Sequence, residues 1–157
     1  SKAREAGLLG TSIFFNDVSV SPDGLAPWLE HCRAGILTNP DSLEALSSWR
    51  TRYLDLLWAG KPLVVSGKDP LGSRMEAAGG ALRVKAGSPQ DLADAIERLS
   101  SDATLASSMG AKAAGLADEL RWSRNLSPFL DALDDPGSFR YNGLRPGILD
   151  AVRYFLA

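Results

Sequence analysis

The feature that most constrains the fold of this chain is the apolar run Leu63-Val64-Val65, which is flanked by Pro62 and Ser66. Consecutive apolar residues are typical of a strand that is covered on both faces, whereas a strand with one solvated face alternates apolar and polar residues. We therefore predict a strand over residues 62–66 that lies in a sheet with helices on both faces.

Similar short runs alternate with amphipathic stretches along most of the chain. The predicted strands are residues 12–15, 34–38, 62–66 and 81–84. The predicted helices are residues 2–9, 23–32, 47–59, a short helix ending near 78, and residues 89–100, 104–120 and 122–133. Strands that alternate with helices indicate an α/β fold. We predict a Rossmann-like parallel sheet of about four strands with helices on both faces.

The C-terminal part has a different pattern. Residues 134–146 are rich in Gly, Pro and Arg, and residues 147–156 have the apolar spacing of one more amphipathic helix. A chain of 157 residues with 45% hydrophobic content is sufficient for one domain with a core. We predict one domain over residues 1–133 and a C-terminal extension with a helix over residues 134–157.

Charge and composition argue against several classes of protein. The net charge is −2 and charged residues make up 23% of the chain, so there is no basic field for nucleic acid. Cys32 is the single cysteine and His31 the single histidine, which excludes an internal disulfide and a cysteine- or histidine-rich metal site. We therefore predict a reducing, cytoplasmic location and no bound metal.

Two further expectations concern context. No apolar run reaches the roughly 18–20 residues that cross a bilayer, but Arg140, Arg145 and Arg153 near an amphipathic helix leave open a peripheral position at the inner membrane face. The chain begins with Ser1 and with what resembles the end of a helix, so we expect it to be part of a longer protein.

The helix predicted over residues 47–59 has an apolar and a polar face. We expect the apolar face in the core, and it consists of Trp49, Tyr53, Leu56 and Leu57. The polar face consists of Ser48, Thr51, Arg52 and Asp55. Because this helix follows a strand and a loop, its N-terminus should lie where open α/β sheets bind ligands.

A phosphate group fits the chemistry of that position. The free N–H groups of the first helical turn favour an anion, and Arg50 or Arg52 would add a bidentate contact. Asp55, further along the helix, is a candidate to accept hydrogen bonds from sugar hydroxyls. The alternative is structural, in which Arg52 and Asp55 form a surface ion pair and the serines only cap the helix. Lys68 and Asp69 follow the next strand, and either contact a donor sugar or form a solvated turn.

The same segment resembles a known family. Asp55-Leu-Leu-Trp-Ala-Gly-Lys-Pro-Leu-Val-Val is similar to the Glu-Ala-Met-Ala-x-Gly-x-Pro-Val-Val signature of retaining, family-four-like glycosyltransferases of the GT-B fold. Residues 79–84 resemble the Gly-x-Gly-Leu-x-Val strand of that family, and residues 91–96 and 109–113 resemble its two following helices. The resemblance covers roughly residues 8–133.

The resemblance implies a function and a set of site residues. Asp55 stands where the family has the second glutamate of its Glu-x7-Glu motif, which contacts the ribose of the donor, and Ser47 stands where it has the first. The implied donor site consists of Ser47, Ser48, Arg50, Thr51, Arg52 and Asp55. The implied reaction is transfer of a sugar from a nucleoside-diphosphate sugar with retention, without a metal or another cofactor. No residue is assigned as catalytic.

Other interpretations stay open. The resemblance also implies that the first two strands of the domain and an N-terminal acceptor-binding domain are missing, so the fragment alone should be inactive. The sheet edge exposed in this way is a candidate for pairing with a second copy.

The alternatives to a transferase are a degenerate, non-catalytic module for assembly, which the serine at position 47 favours, and a nucleotide-sugar epimerase of the same fold.

Overall fold

The computed structural model describes residues 2–16 and 18–134 of the chain. The order of elements is α1 (Lys2–Glu5), α2 (Pro22–His31), β1 (Gly35–Leu37), α3 (Leu43–Ser47), α4 (Arg52–Trp58), β2 (Leu63–Val65), α5 (Pro70–Ala77), β3 (Ala81–Arg83), α6 (Pro89–Ser101), α7 (Ala103–Glu119), α8 (Trp122–Asn125) and α9 (Ser127–Asp134). The helix predicted over residues 147–156 lies outside the described residues.

The chain divides into two compact units, residues 1–118 and residues 119–157. The first unit holds the sheet. In the second unit the predicted helix over residues 122–133 is interrupted at Leu126 and continues as α9. A helix that passed through Pro128 would lose one backbone hydrogen bond, because proline has no N–H. No helix within the described residues is long and apolar enough to cross a bilayer.

The sheet has three parallel strands in the order β1-β2-β3, with β2 in the centre. Leu63 of β2 is aligned with Gly35 of β1 and with Ala81 of β3. The predicted mixed α/β architecture with a parallel sheet is therefore confirmed. The predicted number of about four strands is not, because residues 12–15 do not form a strand.

Residues 12–15 have strand-like composition but no neighbouring strand among the described residues. The carbonyl of Leu8 accepts hydrogen bonds from the N–H groups of residues 11, 12 and 13, which form a turn around Gly10 at a φ of 82°. One isolated bridge joins Leu9 and Ile13. Phe14 and Phe15 are exposed. The local turn engages the N–H groups of Ser12 and Ile13 and the carbonyl of Ile13, which a strand would offer to a partner.

Helices cover both faces of the sheet because side chains alternate along a strand. Val64 packs on one face in a cluster with Leu99 of α6 and Met109 of α7. On the opposite face, Leu63 lies beside Leu56 of α4. Their side chains meet over Gly35, where a Cβ atom would overlap the Leu56 side chain. The central strand is therefore buried on both sides, as its apolar run predicts.

Two glycines bring α7 close to the turn before β2. Gly60 ends α4 with a φ of 63°, a conformation that L side chains rarely adopt. A Cβ at Gly110 of α7 would collide with the carbonyl oxygen of Gly60. This close approach fixes α7 against the end of α4, and so helps to position the start of β2.

Candidate functional site

The helix predicted over residues 47–59 is present only from Arg52, as α4. Ser47 is instead the last residue of a separate helix, α3, and residues 48–51 link the two helices. Ser42 caps α3, since its hydroxyl accepts the N–H of Ala45 at 3.1 Å. The Ser47 hydroxyl donates to the carbonyls of Leu43 at 3.0 Å and Glu44 at 3.2 Å. Serine hydroxyls compete in this way with the backbone hydrogen bonds of a helix. Ser48 is extended, with φ −85° and ψ 125°, and α3 ends there.

A cleft of about 610 Å³ lies beside this linker, at the carboxyl end of β1. One wall comes from the end of β1 and the loop that follows it. The other wall comes from the α3–α4 linker and the first residue of α4. The lining residues are Ile36, Leu37, Thr38 and Asn39 on the first wall, and Ser48, Trp49, Arg50, Thr51 and Arg52 on the second. Both the volume and the position are typical of small-molecule sites in α/β proteins.

The structure brings most of the predicted site residues together. Four of the six line the cleft, namely Ser48, Arg50, Thr51 and Arg52. Ser47 is turned toward the backbone of α3. Asp55 is exposed in the first turn of α4 and is not among the residues that line the cleft.

Two details of the sequence interpretation are wrong. The polar residues do not form one helical stripe, because Ser48 lies in the linker and α4 begins at Arg52. Trp49 is not in the core. It is 48% exposed and lines the cleft, since the linker does not follow the helical periodicity that would have turned it inward. Tyr53 and Leu57 of the same predicted face are fully buried, as expected.

Both arginines of the cleft retain unused donors. The Arg50 Nη2 atom lies 3.4 Å from Glu44 Oε1, while its buried Nε–H has no hydrogen-bond acceptor among the described residues. Arg52 is exposed, and within the described parts of the chain it forms no ion pair with Asp55 or with another residue. The cleft therefore combines two guanidinium groups with the hydroxyls of Ser48 and Thr51, an arrangement suited to an anion.

A largely buried polar network adjoins the cleft at Asn39, and we call this network the floor of the cleft. The Asn39 backbone N–H donates to the Ser66 hydroxyl, which in turn donates to the Asn39 carbonyl, both at 2.8 Å. The Asn39 Nδ2 group donates to the Tyr53 hydroxyl at 3.2 Å. Tyr53 donates to Asp69 Oδ2 at 2.9 Å, and Asp69 Oδ1 accepts the N–H of Gly72 at 2.8 Å. The network joins the ends of β1 and β2 to α4 and α5.

Tyr53 and Asp69 were not identified as a pair from the sequence. Burial of Tyr53, together with its hydrogen bond to Asp69 and the negative charge there, raises the pKa of the phenol well above its ordinary value of 10.0. Asp69 is fully buried and caps α5, so it is neither a solvated turn residue nor a group that contacts a sugar. The sequence does contain a signal of this role, because Asp69 stands directly before Pro70, and an aspartate before a proline is typical of a helix N-cap.

The remaining candidates do not form a site. The Cys32 thiol donates to the Leu29 carbonyl at 3.2 Å, and the His31 ring nitrogen Nδ1 lies 2.7 Å from the carbonyl of Pro27. Among residues 2–16 and 18–134, no group of three or more His, Cys, Asp or Glu side chains could hold a metal ion.

The cleft and its floor are thus formed by β1 with its loop, the α3–α4 linker, the first residues of α4, and the β2–α5 turn. Comparison of the chain with protein-family models, with curated proteins and with solved structures found no match.

Proposed function

We propose that this chain is the donor-binding part of a glycosyltransferase, and that the cleft beside β1 binds the diphosphate of a nucleoside-diphosphate sugar. The observation that carries the proposal is the convergence of Arg50 and Arg52 in one cleft at the carboxyl end of a parallel sheet. A diphosphate offers several acceptor oxygens, and guanidinium groups match their geometry and charge.

The distribution of the lining groups supports a ligand with more than one chemical part. Arg50 is partly covered, which reduces the competition of water for its donors. Arg52 is more exposed and suits the outer part of the diphosphate. Trp49 presents an exposed aromatic surface beside them, against which a sugar or a base would pack.

The proposed chemistry uses these cations on the leaving group. When the bond between the sugar and the diphosphate breaks, negative charge develops on the departing phosphate oxygen. The Arg50 and Arg52 guanidinium groups stabilise that charge in the transition state. Asp55 remains a proposed contact to the ribose, reached by a nucleoside that extends along the exposed side of α4.

A non-catalytic module is the second candidate, and a specific observation favours it. Ser47 stands where the resembled family has a glutamate, and its hydroxyl is used by the carbonyls of Leu43 and Glu44. A degenerate module that serves only in assembly would bind no nucleotide. An epimerase of similar architecture would bind the nucleotide sugar but would isomerise it without an acceptor.

Binding of nucleotides to the intact protein separates these functions. We expect nucleoside diphosphates and their sugars to bind, and Arg50→Gln or Arg52→Gln to lower the affinity at least about tenfold, because each removes a charged hydrogen bond. Raising the salt concentration should weaken wild-type binding. The contribution of the exposed Arg52 should fall more than that of the partly covered Arg50. The matched control is Arg98→Gln on α6, an exposed arginine outside the cleft.

The outcomes of this titration are distinct. If none of UDP, ADP, GDP and their glucose or mannose conjugates binds, the transferase proposal is wrong and the assembly module takes its place. If one binds, release of the free nucleoside diphosphate in the presence of an acceptor indicates a transferase. Conversion of the bound nucleotide sugar to its epimer without an acceptor indicates the epimerase.

A further inference from the structure

Of the residues that the structure describes, Asn39 is the one that belongs both to the cleft and to the polar network that forms its floor. Its backbone is held at both polar groups by the Ser66 hydroxyl. Its side-chain Nδ2 group donates to the Tyr53 hydroxyl at 3.2 Å. Among the described residues, its Oδ1 atom has no hydrogen-bond donor. The question is what this oxygen does at the cleft.

The network determines which end of the Asn39 amide faces Tyr53. The Tyr53 hydroxyl has a single hydrogen, and that hydrogen is directed to Asp69 Oδ2 at 2.9 Å. Tyr53 can therefore only accept from Asn39, which places the amide nitrogen toward Tyr53 and the amide oxygen away from it. Asp69 is held in turn by the N–H of Gly72 at the start of α5.

A fixed amide oxygen has a different chemistry from the other polar groups of the cleft. The hydroxyls of Ser48 and Thr51 rotate and either donate or accept, and the arginines only donate. The Asn39 Oδ1 atom only accepts, so a phosphate oxygen placed against it would be repelled, whereas a hydroxyl group would bind to it.

We infer that Asn39 Oδ1 accepts a hydrogen bond from a hydroxyl of the nucleotide sugar, and that Tyr53 and Asp69 are positioning residues that hold it in that orientation. This inference rests on the proposed function, since it takes the diphosphate to lie on Arg50 and Arg52. It adds a specificity element, because the cleft then distinguishes a diphosphate that carries a sugar or ribose hydroxyl from one that does not.

The test compares two probes, inorganic pyrophosphate and whichever of UDP-glucose, ADP-glucose and GDP-mannose binds the wild-type protein most tightly. Asn39→Ala should lower the affinity for the nucleotide sugar about three- to tenfold and leave that for pyrophosphate within about twofold. Tyr53→Phe should change the ratio of the two affinities in the same direction. Gln90→Ala is the control, because its amide hydrogen bonds to Asp94 at 2.7 Å on the surface of α6.

The ratio separates positioning from simple loss of structure. A variant that only loosens the fold weakens the binding of both probes equally and leaves the ratio of their two affinities unchanged. An unchanged ratio for Asn39→Ala therefore overturns the inference. If Tyr53→Phe does not fold, the Asn39→Ala ratio still decides. Failure of every nucleotide and of pyrophosphate to bind the wild-type protein overturns the proposed function itself.

Discussion

The region around β2 and the N-terminal segment of residues 2–16 and 18–20 have similar apolar character but opposite burial. Beside β2, Leu57 of α4 and Leu71 of α5 are fully buried. In the N-terminal segment, Phe14 is 73% and Phe15 is 67% exposed. The difference lies in what each region packs against. The helices α4 and α5 each lie between two strands of the sheet in the chain, whereas residues 12–15 have no strand beside them in the part of the chain that the structure describes.

The two regions also satisfy their polar groups differently. Near β2, the buried carboxylate of Asp69 has a hydrogen bond to each oxygen. In the N-terminal segment, one carbonyl, that of Leu8, accepts several N–H groups in an exposed turn. Apolar composition therefore indicates which residues are able to form a core, while the crossover helices decide which of them do.

The largest expected effect is from a cavity beside β2. Leu57→Ala should lower the free energy of unfolding by about 2–5 kcal/mol, because the lost contacts lie in a site with no access to water. Chemical denaturation measures this change. Leu43→Ala, at a leucine of α3 that is 85% exposed, should change it by less than about 0.5 kcal/mol. Similar losses in the two variants would contradict the contrast between buried and exposed leucines.

Removal of the Asp69 carboxylate should have the next largest effect. Asp69→Ala leaves the Tyr53 O–H donor and the Gly72 N–H donor buried without acceptors, and we expect a loss of about 2–3 kcal/mol. Denaturant titration measures the change in the free energy of unfolding. Asp102→Ala serves as the comparison, since Asp102 accepts the N–H of Leu105 at 2.8 Å on the surface. An effect of Asp69→Ala no larger than this would mean that burial adds nothing to the network.

A third prediction uses the surface cap of α6. The Ser88 hydroxyl donates to Asp91 Oδ1 at 2.7 Å, and this bond, with the N–H of Lys85, lowers the pKa of Asp91. A lowered carboxyl pKa contributes stability that is present above the ordinary value of 3.8 and is lost as the pH falls through the folded pKa.

Because Ser88 is the N-cap of α6, loss of its hydroxyl in Ser88→Ala should cost about 1 kcal/mol near neutral pH. The loss of stability between neutral and acidic pH should also become smaller, because the bond that lowers the Asp91 pKa is removed. Denaturation series at several pH values measure both quantities. A variant that is destabilised equally at neutral pH and well below 3.8 would show that the Ser88–Asp91 bond does not supply the acid sensitivity.

The smallest effect is expected in the N-terminal segment. Replacing both Phe14 and Phe15 by serine should change the free energy of unfolding by less than about 0.5 kcal/mol, because neither ring is buried. It should also reduce self-association, which exposed aromatic groups promote. A loss of several kcal/mol would instead mean that residues 12–15 pack as the fourth strand that their composition suggests.

The strands beside the site could be predicted because their signals are local. The run at residues 63–65 and the turn residues around it are sufficient to place β2 and to indicate a parallel sheet. The cap formed by Ser88 and Pro89 likewise marks the start of α6. These patterns involve only residues that are neighbours in the sequence, and the folded chain has the elements that they predict.

The parts that could not be predicted depend on contacts between distant residues or on weak local competition. The break between α3 and α4 results from the Ser47 hydroxyl and from an extended Ser48, and helical periodicity alone does not reveal either. Residues 12–15 do not form a strand because no partner strand lies beside them within residues 2–16 and 18–134, and composition alone does not indicate whether a partner is present. The cleft could be anticipated from Arg50 and Arg52, but its floor could not.

The floor of the cleft also has a consequence for folding kinetics. Tyr53 lies 14 residues from Asn39 and 16 residues from Asp69 along the chain. Both hydrogen bonds therefore require a loop to close, and the entropy of closure is lost before either bond forms. We expect such contacts to form late in folding, so that Tyr53→Phe accelerates unfolding more than it slows folding. The residues that shape the binding cleft would then also determine how long the native state persists.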